Sequence, residues 1–373
     1  MDFNVPIKEE TMLNGQKKIK VANDFKIKAQ LETISYLLKN GAKVLLVSHL
    51  DSLGSFLPII EEIGVFLGQT ISLIPHSKLS SLDTLFQSVP VFLFDNIRQD
   101  KREEENREEL ALSLSKGFDF FINDAFAVSH RVHALVVAVT KFLPSFGGFL
   151  MKKEITNLSQ ALAADVQGKV LVLGGAKIST KLPVIENFLD KAEKIIIGGA
   201  LANDFWQAQG MKVGASLVDD SVMISEPISK LSSLDGTGKI ILPTDILISK
   251  DKTGQGGFSV SAVKNLNSEE IIVDIGPQSA QNFAEIIKKA ELVIWNGPMG
   301  LLEVDQFFKG TEIVAMAVAQ AKKSIIGGGE TIEAVAKIGL LDKFHYVSTG
   351  GGAMLEFLSG NRLPGLEALG YYN

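Results

Sequence analysis

The feature of this sequence that most constrains its fold is a recurring unit: a short apolar run, a glycine-rich or polar turn, and a segment with helical spacing. Apolar runs without alternating polar residues are typical of strands buried on both faces of a parallel sheet. Segments such as Thr33–Leu38 and Thr331–Ala336 have helical spacing. Strands that alternate with helices predict an α/β fold of doubly wound parallel sheets with right-handed crossovers. The apolar runs lie at Val44–Val47, Phe118–Ile122, Val170–Leu173, Ile195–Ile197, Leu292–Trp295, Ser324–Ile326 and Tyr346–Val347.

Chain length and glycine placement predict two domains. At about 150 residues per domain, a chain of 373 residues suits two domains or three. Glycine clusters follow the strands only after Gly174, whereas the earlier strands end in Ser-His, Asp-Asn or Asn-Asp, so the halves should bind different ligands. We expect the join near Lys153–Lys169, which begins with a helical pattern. The charged run Gln99–Glu109 should begin a solvated helix, and Asp51–Phe56 and Asp251–Gly257 should be loops.

Composition excludes several kinds of site and partner. The absence of cysteine excludes a disulfide scaffold, a cysteine-ligated metal site and a cysteine nucleophile, and it suits a reducing compartment. With 37 Lys and Arg against 43 Asp and Glu, the net charge of −6 argues against bulk nucleic-acid binding. The start of the chain does not have the pattern of a signal peptide, and no apolar run approaches the ~18 residues of a membrane span. We therefore predict a cytoplasmic monomer with no nucleic-acid or membrane partner.

The glycine clusters of the second half suit a phosphorylated ligand. Ligands of open α/β sheets bind beyond the carboxyl ends of the strands, where these clusters lie. Gly327–Thr331 and Ser348–Gly352 precede helices, whose free N–H groups bind anions. Gly174–Lys177, followed by Lys181, adds two ammonium groups on one face of a helical turn. Tight strand–helix packing is the better explanation of any single cluster, and solvated lysines are an alternative, but the clusters together favour a nucleotide.

The strands of the first half end in a different set of side chains. His49 ends one strand, Asn96–Arg98 follow another, and Asn123–Asp124 end a third, shortly before His130 and Arg131. A lone histidine at a strand end is usually a structural hydrogen-bonding partner. Imidazole and guanidinium groups at matching strand ends nevertheless predict a cationic patch for a small phosphate or carboxylate. An anion in one domain and a nucleotide in the other predict phosphoryl transfer after hinge closure.

Several strings, taken together, resemble the phosphoglycerate kinase family, in the order and spacing of that family across nearly the whole chain. They are Asp2–Pro6, Ser48–Leu50, Asn123–Phe126, Leu173–Lys177, Asp274–Pro277, Trp295–Gly300, Gly327–Gly329, Ser348–Gly352 and Leu363–Gly365. The resemblance implies two Rossmann-like domains joined by a hinge helix. Residues 1–155 would form the acceptor domain, with the tail 360–373 packed back on it, and residues 156–359 the nucleotide domain. It also implies phosphoryl transfer between ATP and the carboxylate of 3-phosphoglycerate, with Mg²⁺ bound to ATP or ADP.

The resemblance further implies roles for individual residues. Asp2, Asn4, Lys26, His49, Arg98 and Arg131 would bind 3-phosphoglycerate. Lys26, Lys177 and Gly351 would be catalytic, with Lys177 at the transferring phosphoryl group, and Glu330 would bind the metal. The nucleotide would contact Gly175, Lys177, Lys181, Gly199, Gly276, Asn296, Pro298, Gly300, Glu303, Gly328, Gly329, Glu330 and Thr331.

Departures from the family pattern lie mostly at the acceptor site. Lys26 stands where the family has a catalytic arginine, Asp51 and Ser52 replace a glycine and a phosphate-binding arginine, and Glu330 replaces an aspartate. The family also has a strand and an arginine before the position of Asp2, for which this sequence has no counterpart, so neighbouring strand edges should be exposed. Three hypotheses follow: an impaired phosphoglycerate kinase, a nucleotide-binding pseudoenzyme, and a kinase for another acid acceptor.

Overall fold

A computed structural model describes residues 1–12, 15–84, 90–163, 165–219, 231, 238–264 and 266–373. The contacts divide the chain into two compact units. The first unit comprises Met1–Thr156 with Arg362–Asn373, and the second unit comprises Asn157–Asn361. Each unit contains parallel strands and helices, so the predicted α/β class is confirmed. No helix in the described ranges is long and apolar enough to cross a membrane.

The first unit contains a parallel sheet, a parallel strand pair and an antiparallel hairpin. Its strands are β1 Ile7–Thr11, β2 Lys17–Val21, β3 Val44–Val47, β4 Ser72–Ile74, β5 Val91–Phe94, β6 Phe121–Asn123 and β7 Ser145–Gly147. Strand β5 lies between β3 and β4, β6 pairs with β7, and β1 pairs with β2. Its helices are α1 Phe25–Ala29, α2 Leu31–Lys39, α3 Ile60–Leu67, α4 Lys101–Glu104, α5 Glu108–Ser115 and α6 Phe149–Leu162. Helix α6 ends within the second unit, and a further short helix, Pro364–Ala368, belongs to the first unit.

The predicted strand at Val44–Val47 is confirmed, whereas the one at Phe118–Ile122 begins later, at Phe121. The backbone N–H of Phe118 donates to the carbonyl of Ser115, so the chain is still leaving α5 at that point. Strands β3 and β6 are edge strands among the described residues, and both line a cavity of about 1060 Å³.

The second unit is built on one six-stranded parallel sheet. The strands follow the order β10-β9-β8-β14-β15-β16, and a three-stranded antiparallel sheet has the order β12-β11-β13. The strands are β8 Lys169–Leu173, β9 Lys194–Ile197, β10 Ile240–Ile241, β11 Asp245–Ser249, β12 Phe258–Ala262, β13 Ile271–Ile275, β14 Leu292–Asn296, β15 Ser324–Gly327 and β16 Tyr346–Ser348. The helices are α7 Leu182–Phe188, α8 Ala200–Ala208, α9 Pro277–Lys288, α10 Lys309–Ala319, α11 Gly329–Lys337 and α12 Gly352–Leu358.

The core of the second unit explains why its strands appear as apolar runs. Trp295 of β14 is fully buried, in one cluster with Val172 of β8 and Ile326 of β15. The parallel pairings β8–β14 and β14–β15 place the carboxyl ends of these three strands side by side. The turns that follow them therefore meet at one edge of the sheet, as the doubly wound pattern predicts.

The charged run Gln99–Glu109 differs from the expected solvated helix. It contains the short helix α4 and the start of α5, separated by Asn106 at a φ of 53°. Glu103 on α4 is 4% exposed and accepts a hydrogen bond from the backbone N–H of Leu135 at 3.0 Å. Solvation of the whole run was therefore a wrong expectation at Glu103. Its carboxyl is desolvated, which raises its pKa from 4.5 to about 7.

We expect Glu103→Gln to remove part of the pH dependence of stability. A carboxyl whose pKa is higher in the folded state destabilises the fold once ionised, so the free energy of unfolding falls between pH 4.5 and about 7. The shift corresponds to about 3 kcal/mol. Denaturant unfolding at pH 5 and pH 8 should show a smaller difference in Glu103→Gln than in the wild type. Exposed Glu105→Gln is the control, and equal pH differences in all three proteins would refute the assignment.

Candidate active site

The turns after β8, β9 and β14 pack against one another through their backbones. The N–H of Gly174 donates to the carbonyl of Asn296 at 3.0 Å, and that of Gly175 to Pro298 at 2.8 Å. The N–H of Gly199 donates to the carbonyl of Met299 at 3.2 Å. A Cβ atom at Gly174 would overlap the carbonyl oxygen of Pro298. Close backbone packing therefore accounts for these glycines.

The turn after β15 leads into a helix N-terminus that an anion can approach. Gly328 precedes α11 at a φ of 98°, and no atom lies within 4 Å of a Cβ built at Gly329. The first N–H groups of a helix have no partner within it and bind anions. The hydroxyl of buried Thr331 accepts a hydrogen bond from the N–H of Gly297 at 2.7 Å. Thr331 thus ties the start of α11 to the turn after β14.

The side chains of Lys181 and Glu330 both lie close to Gly175. A Cβ at Gly175 would lie 3.3 Å from Oε2 of Glu330 and 3.4 Å from Nζ of Lys181. Burial lowers the pKa of the Lys181 ammonium, while the Glu330 carboxylate opposes that change and Lys177 adds to it. Lys177 is exposed. The predicted lysines thus differ in setting: one is a desolvated cation beside a carboxylate, and the other reaches into solvent.

A cavity of about 210 Å³ lies beside these turns in the second unit. Its predicted lining residues are Gly175, Gly199, Pro298, Gly300, Glu303 and Glu330. Trp206, Leu217 and Ile246 also line it and supply apolar surface that the sequence analysis missed, since no local motif marks them. Cavities with apolar walls and a few polar groups are typical small-molecule sites.

Other predicted nucleotide residues do not line this cavity. The side chain of Asn296 donates to the carbonyl of Gly327 at 2.9 Å and ties β14 to β15. Gly276 precedes α9, and a Cβ there would overlap the Asp245 carboxylate. Lys177, Lys181, Gly328, Gly329 and Thr331 also lie outside the lining. Gly351 precedes α12 at a φ of 50° and is likewise outside it.

Asp274 supports the cavity from within the protein. It is 2% exposed and accepts hydrogen bonds from the N–H groups of Gly310 at 2.7 Å and Ile275 at 2.8 Å. Burial raises the pKa of Asp274 to about 8. A Cβ at Gly300 would overlap this carboxyl group, so Gly300 allows the turn after β14 to approach Asp274.

In the first unit, the structure brings together most of the residues predicted to bind an anion. We call Asp2, Asn4, Lys26, His49, Asp51 and Arg98 the anion cluster. Nζ of Lys26 lies 2.9 Å from Oδ2 of Asp2. Nη1 of Arg98 lies 3.1 Å from Oδ1 of Asp51, and Nε2 of His49 lies 3.8 Å from Oδ2 of Asp51. The Nδ2 group of Asn4 donates to Oδ2 of Asp51 at 2.8 Å.

Asn96 gives the anion cluster its shape. Its Oδ1 atom accepts hydrogen bonds from the N–H groups of Leu50 and Arg98, each at 3.1 Å. Its Nδ2 group donates to the carbonyls of Leu50 at 2.8 Å and Leu53 at 2.9 Å. The side chain is 3% exposed, so Asn96 fixes the loop after β3 against the loop after β5.

The predicted cationic patch is balanced by acids. Burial lowers the pKa of His49, and it lowers that of His133 to about 4, so both imidazoles are neutral near pH 7. The positive charges are those of Lys26, Arg98 and Arg131. Asp2 faces Lys26, and Arg98 faces both Asp51 and, at 3.2 Å, Glu104.

Asp124, also predicted near this patch, has a structural role. Its Oδ1 atom accepts a hydrogen bond from the N–H of Met151 at 2.8 Å, at the start of α6. Burial raises the pKa of this carboxyl group. It therefore anchors a helix rather than contributing to the anion cluster.

The residues present fit a Mg²⁺ ion bound together with nucleotide phosphates. Mg²⁺ keeps several waters and is commonly held by one or two carboxylates plus substrate phosphates. Glu330 supplies one exposed carboxylate in the first turn of α11, beside the free N–H groups. No group of three or more potential metal-ligating His, Asp or Glu side chains occurs in the described part of the chain.

Comparisons with known proteins agree along the whole chain. The family model described as phosphoglycerate kinase matches residues 1–361. Phosphoglycerate kinase of Finegoldia magna is 38% identical over 383 residues, covering 99% of this chain and 94% of the relative. That of Thermosipho africanus is 39% identical over 385 residues, covering 99% and 93%.

Solved structures give the same result. Phosphoglycerate kinase from Coxiella burnetii matches with a TM-score of 0.80 at 33% identity, covering 99% of this chain and 94% of that one. The enzyme from Pyrococcus horikoshii matches with a TM-score of 0.82 at 31% identity and the same coverage. On the fold, the family model and these relatives, this chain belongs to the phosphoglycerate kinase family.

Proposed function

We propose that this chain is an active phosphoglycerate kinase that transfers a phosphoryl group between ATP and the carboxylate of 3-phosphoglycerate. The observation that carries the proposal is the 2.9 Å contact between Lys26 and Asp2. The pseudoenzyme hypothesis rested on the altered acceptor half, in which the family's leading arginine has no counterpart, Lys26 replaces an arginine, and Asp51 and Ser52 replace a glycine and an arginine. The contact keeps a cation in the anion cluster, so the charge survives although the planar fork of arginine does not.

On the acceptor side, Asp2, Asn4, His49, Arg98 and Arg131 bind and orient 3-phosphoglycerate. Lys26 stabilises the charge that develops as the phosphoryl group moves. In the direction of ATP consumption, a carboxylate oxygen of the acceptor attacks the γ-phosphorus, the bond to the ADP oxygen breaks, and an acyl phosphate forms. The nucleophile is already ionised, so the reaction needs no general base. Catalysis is therefore a matter of positioning and charge stabilisation.

On the nucleotide side, the apolar cavity beside Gly175 and Pro298 takes the adenosine, and the N–H groups at the start of α11 bind phosphate. Lys181 holds the nucleotide phosphates, and Lys177 stabilises the transferring phosphoryl group. Glu330 would hold Mg²⁺, which neutralises charge on the phosphates when bound. Residues 1–155 with 360–373 serve as the acceptor domain, and residues 156–359 as the nucleotide domain. We also propose that the two domains close about a hinge during transfer, and that the protein is a monomer in the cytoplasm.

Two measurements on the purified chain test the proposal. Calorimetry should show saturable binding of 3-phosphoglycerate and of ADP. A coupled assay should show ATP turnover that requires both 3-phosphoglycerate and Mg²⁺, with a reaction lacking the acceptor as control. Nucleotide binding without acceptor binding or turnover would contradict the proposal and favour the pseudoenzyme.

A further inference from the structure

The Asp51 carboxylate already contacts side chains that, in the proposed function, bind the acceptor. Its side chain is 54% exposed, in the loop after β3. One carboxylate oxygen lies 3.1 Å from Nη1 of Arg98, and the other accepts a hydrogen bond from Asn4 at 2.8 Å and lies 3.8 Å from His49. The N–H of Asp51 also donates to Oδ1 of Asn4 at 2.9 Å. An acidic side chain is thus held where an external anion would bind.

The charges around Asp51 explain why its contacts affect the binding of an acceptor phosphate. With the imidazoles of His49 and His133 neutral, Lys26 and Arg98 face the carboxylates of Asp2, Asp51 and Glu104. Arg131 is a third cation, close enough to His49 to lower its pKa. Lys26 and Arg98 are engaged by these carboxylates, whereas Arg131 forms no ion pair within 4 Å with the residues that the structure describes. An incoming phosphate can therefore bind the guanidinium group of Arg131 directly, but it must compete with Asp51 for that of Arg98.

We propose that Asp51 is a specificity-determining residue that competes with the phosphate of the acceptor for Arg98 and Asn4, an inference that rests on the proposed function. A phosphorylated acceptor must displace the Asp51 carboxylate before it can form charge-assisted hydrogen bonds with these groups. An acceptor without a phosphate leaves Asp51 in place and does not incur this cost. Asp51 thus weakens phosphoglycerate binding and narrows the preference for phosphorylated over unphosphorylated hydroxy acids.

The decisive variant is Asp51→Asn, which removes the charge but keeps the backbone N–H that binds Asn4 and an oxygen that can accept from it. Calorimetry should show the Kd for 3-phosphoglycerate falling by roughly tenfold, since about 1.4 kcal/mol corresponds to that factor. The Kd for glycerate should change by less than about threefold, given that Asp51 and glycerate do not compete. In steady-state kinetics, the tighter binding should appear as a lower KM for 3-phosphoglycerate.

Two further variants separate charge from loop structure. Asp51→Glu keeps the charge and should retain weak binding of 3-phosphoglycerate. Glu108→Gln removes a carboxylate from an exposed ion pair with Lys141, so it changes net charge equally and should leave the Kd unchanged. Equal or weaker binding by Asp51→Asn would overturn the proposal, because Asp51 would then orient Arg98 rather than compete for it.

The outcomes for the two proposals are distinguishable. If the wild type turns over and Asp51→Asn leaves the Kd unchanged, only the role of Asp51 fails. If the wild type neither turns over nor binds phosphoglycerate but Asp51→Asn binds it, the competition holds and the proposed activity of the natural chain fails. Absence of binding in both proteins overturns both proposals.

Discussion

Replacing Lys177 with alanine is expected to lower kcat by about 10²–10³-fold, the usual cost of removing one preorganised group that stabilises the transition state. The phosphoryl group carries several negative charges during transfer, and a compact ammonium ion suits such a centre. Lys177 is exposed and lies two residues after Gly175. Its side chain makes no ion pair within 4 Å among the described residues, so it contributes little to holding the fold together.

The Lys177→Ala experiment therefore separates catalysis from stability. The melting temperature should stay near that of the wild type, and the Kd for ADP should change much less than kcat. Lys250→Ala is the matched control, because Lys250 is an exposed lysine of the second unit whose nearest carboxylate lies 3.8 Å away. A kcat within about threefold of the wild type would remove Lys177 from the transition state.

Replacing Lys26 with methionine should lower kcat by at least about 10²-fold. Methionine keeps most of the side-chain length but removes the cation that faces Asp2 at 2.9 Å. Because the Asp2 side chain is only 3% exposed, the loss also leaves a desolvated carboxylate without its counter-charge. A lower melting temperature should accompany the lower rate.

The companion variant Lys26→Arg tests geometry at constant charge. A guanidinium group can form two parallel hydrogen bonds with a carboxylate, which an ammonium ion cannot. We expect kcat to rise relative to the wild type while the melting temperature stays similar, and a coupled assay measures the difference. A rate that is unaffected by both methionine and arginine would show that position 26 does not act on the reacting groups.

The sequence predicted strands well where burial is two-sided. The strand predicted at Val44–Val47 is confirmed at both ends, and the one predicted at Leu292–Trp295 extends one residue further, to Asn296. Such strands are predictable because they are continuous apolar runs. The hairpin β1–β2 and the strand Phe258–Ala262 were missed. Nearly all of their residues are exposed or half-buried, so they lack an apolar run, and their pairing comes from tertiary contacts.

The candidate site was predictable in part. Motifs identified its residues. Whether a glycine serves close backbone packing or leaves room for an anion depends, however, on which strands are neighbours. Strand β8 pairs with β14, more than a hundred positions away, and that pairing presses Gly174 against the turn at Pro298. The ion pair between Asp51 and Arg98 and the burial of Glu103 are likewise long-range features, so no local pattern reveals them.

Direct transfer of phosphate tests the central claim most simply. The purified chain is incubated with ATP labelled at the γ-phosphate, Mg²⁺ and 3-phosphoglycerate, and hydroxylamine then converts the acyl phosphate into a hydroxamate and labelled inorganic phosphate. We predict hydroxamate and labelled phosphate in equal amounts, both requiring the acceptor and Mg²⁺ and both falling to a small fraction in Lys177→Ala. Label that stays on ATP, or appears as inorganic phosphate at the same rate without the acceptor, would contradict the assignment.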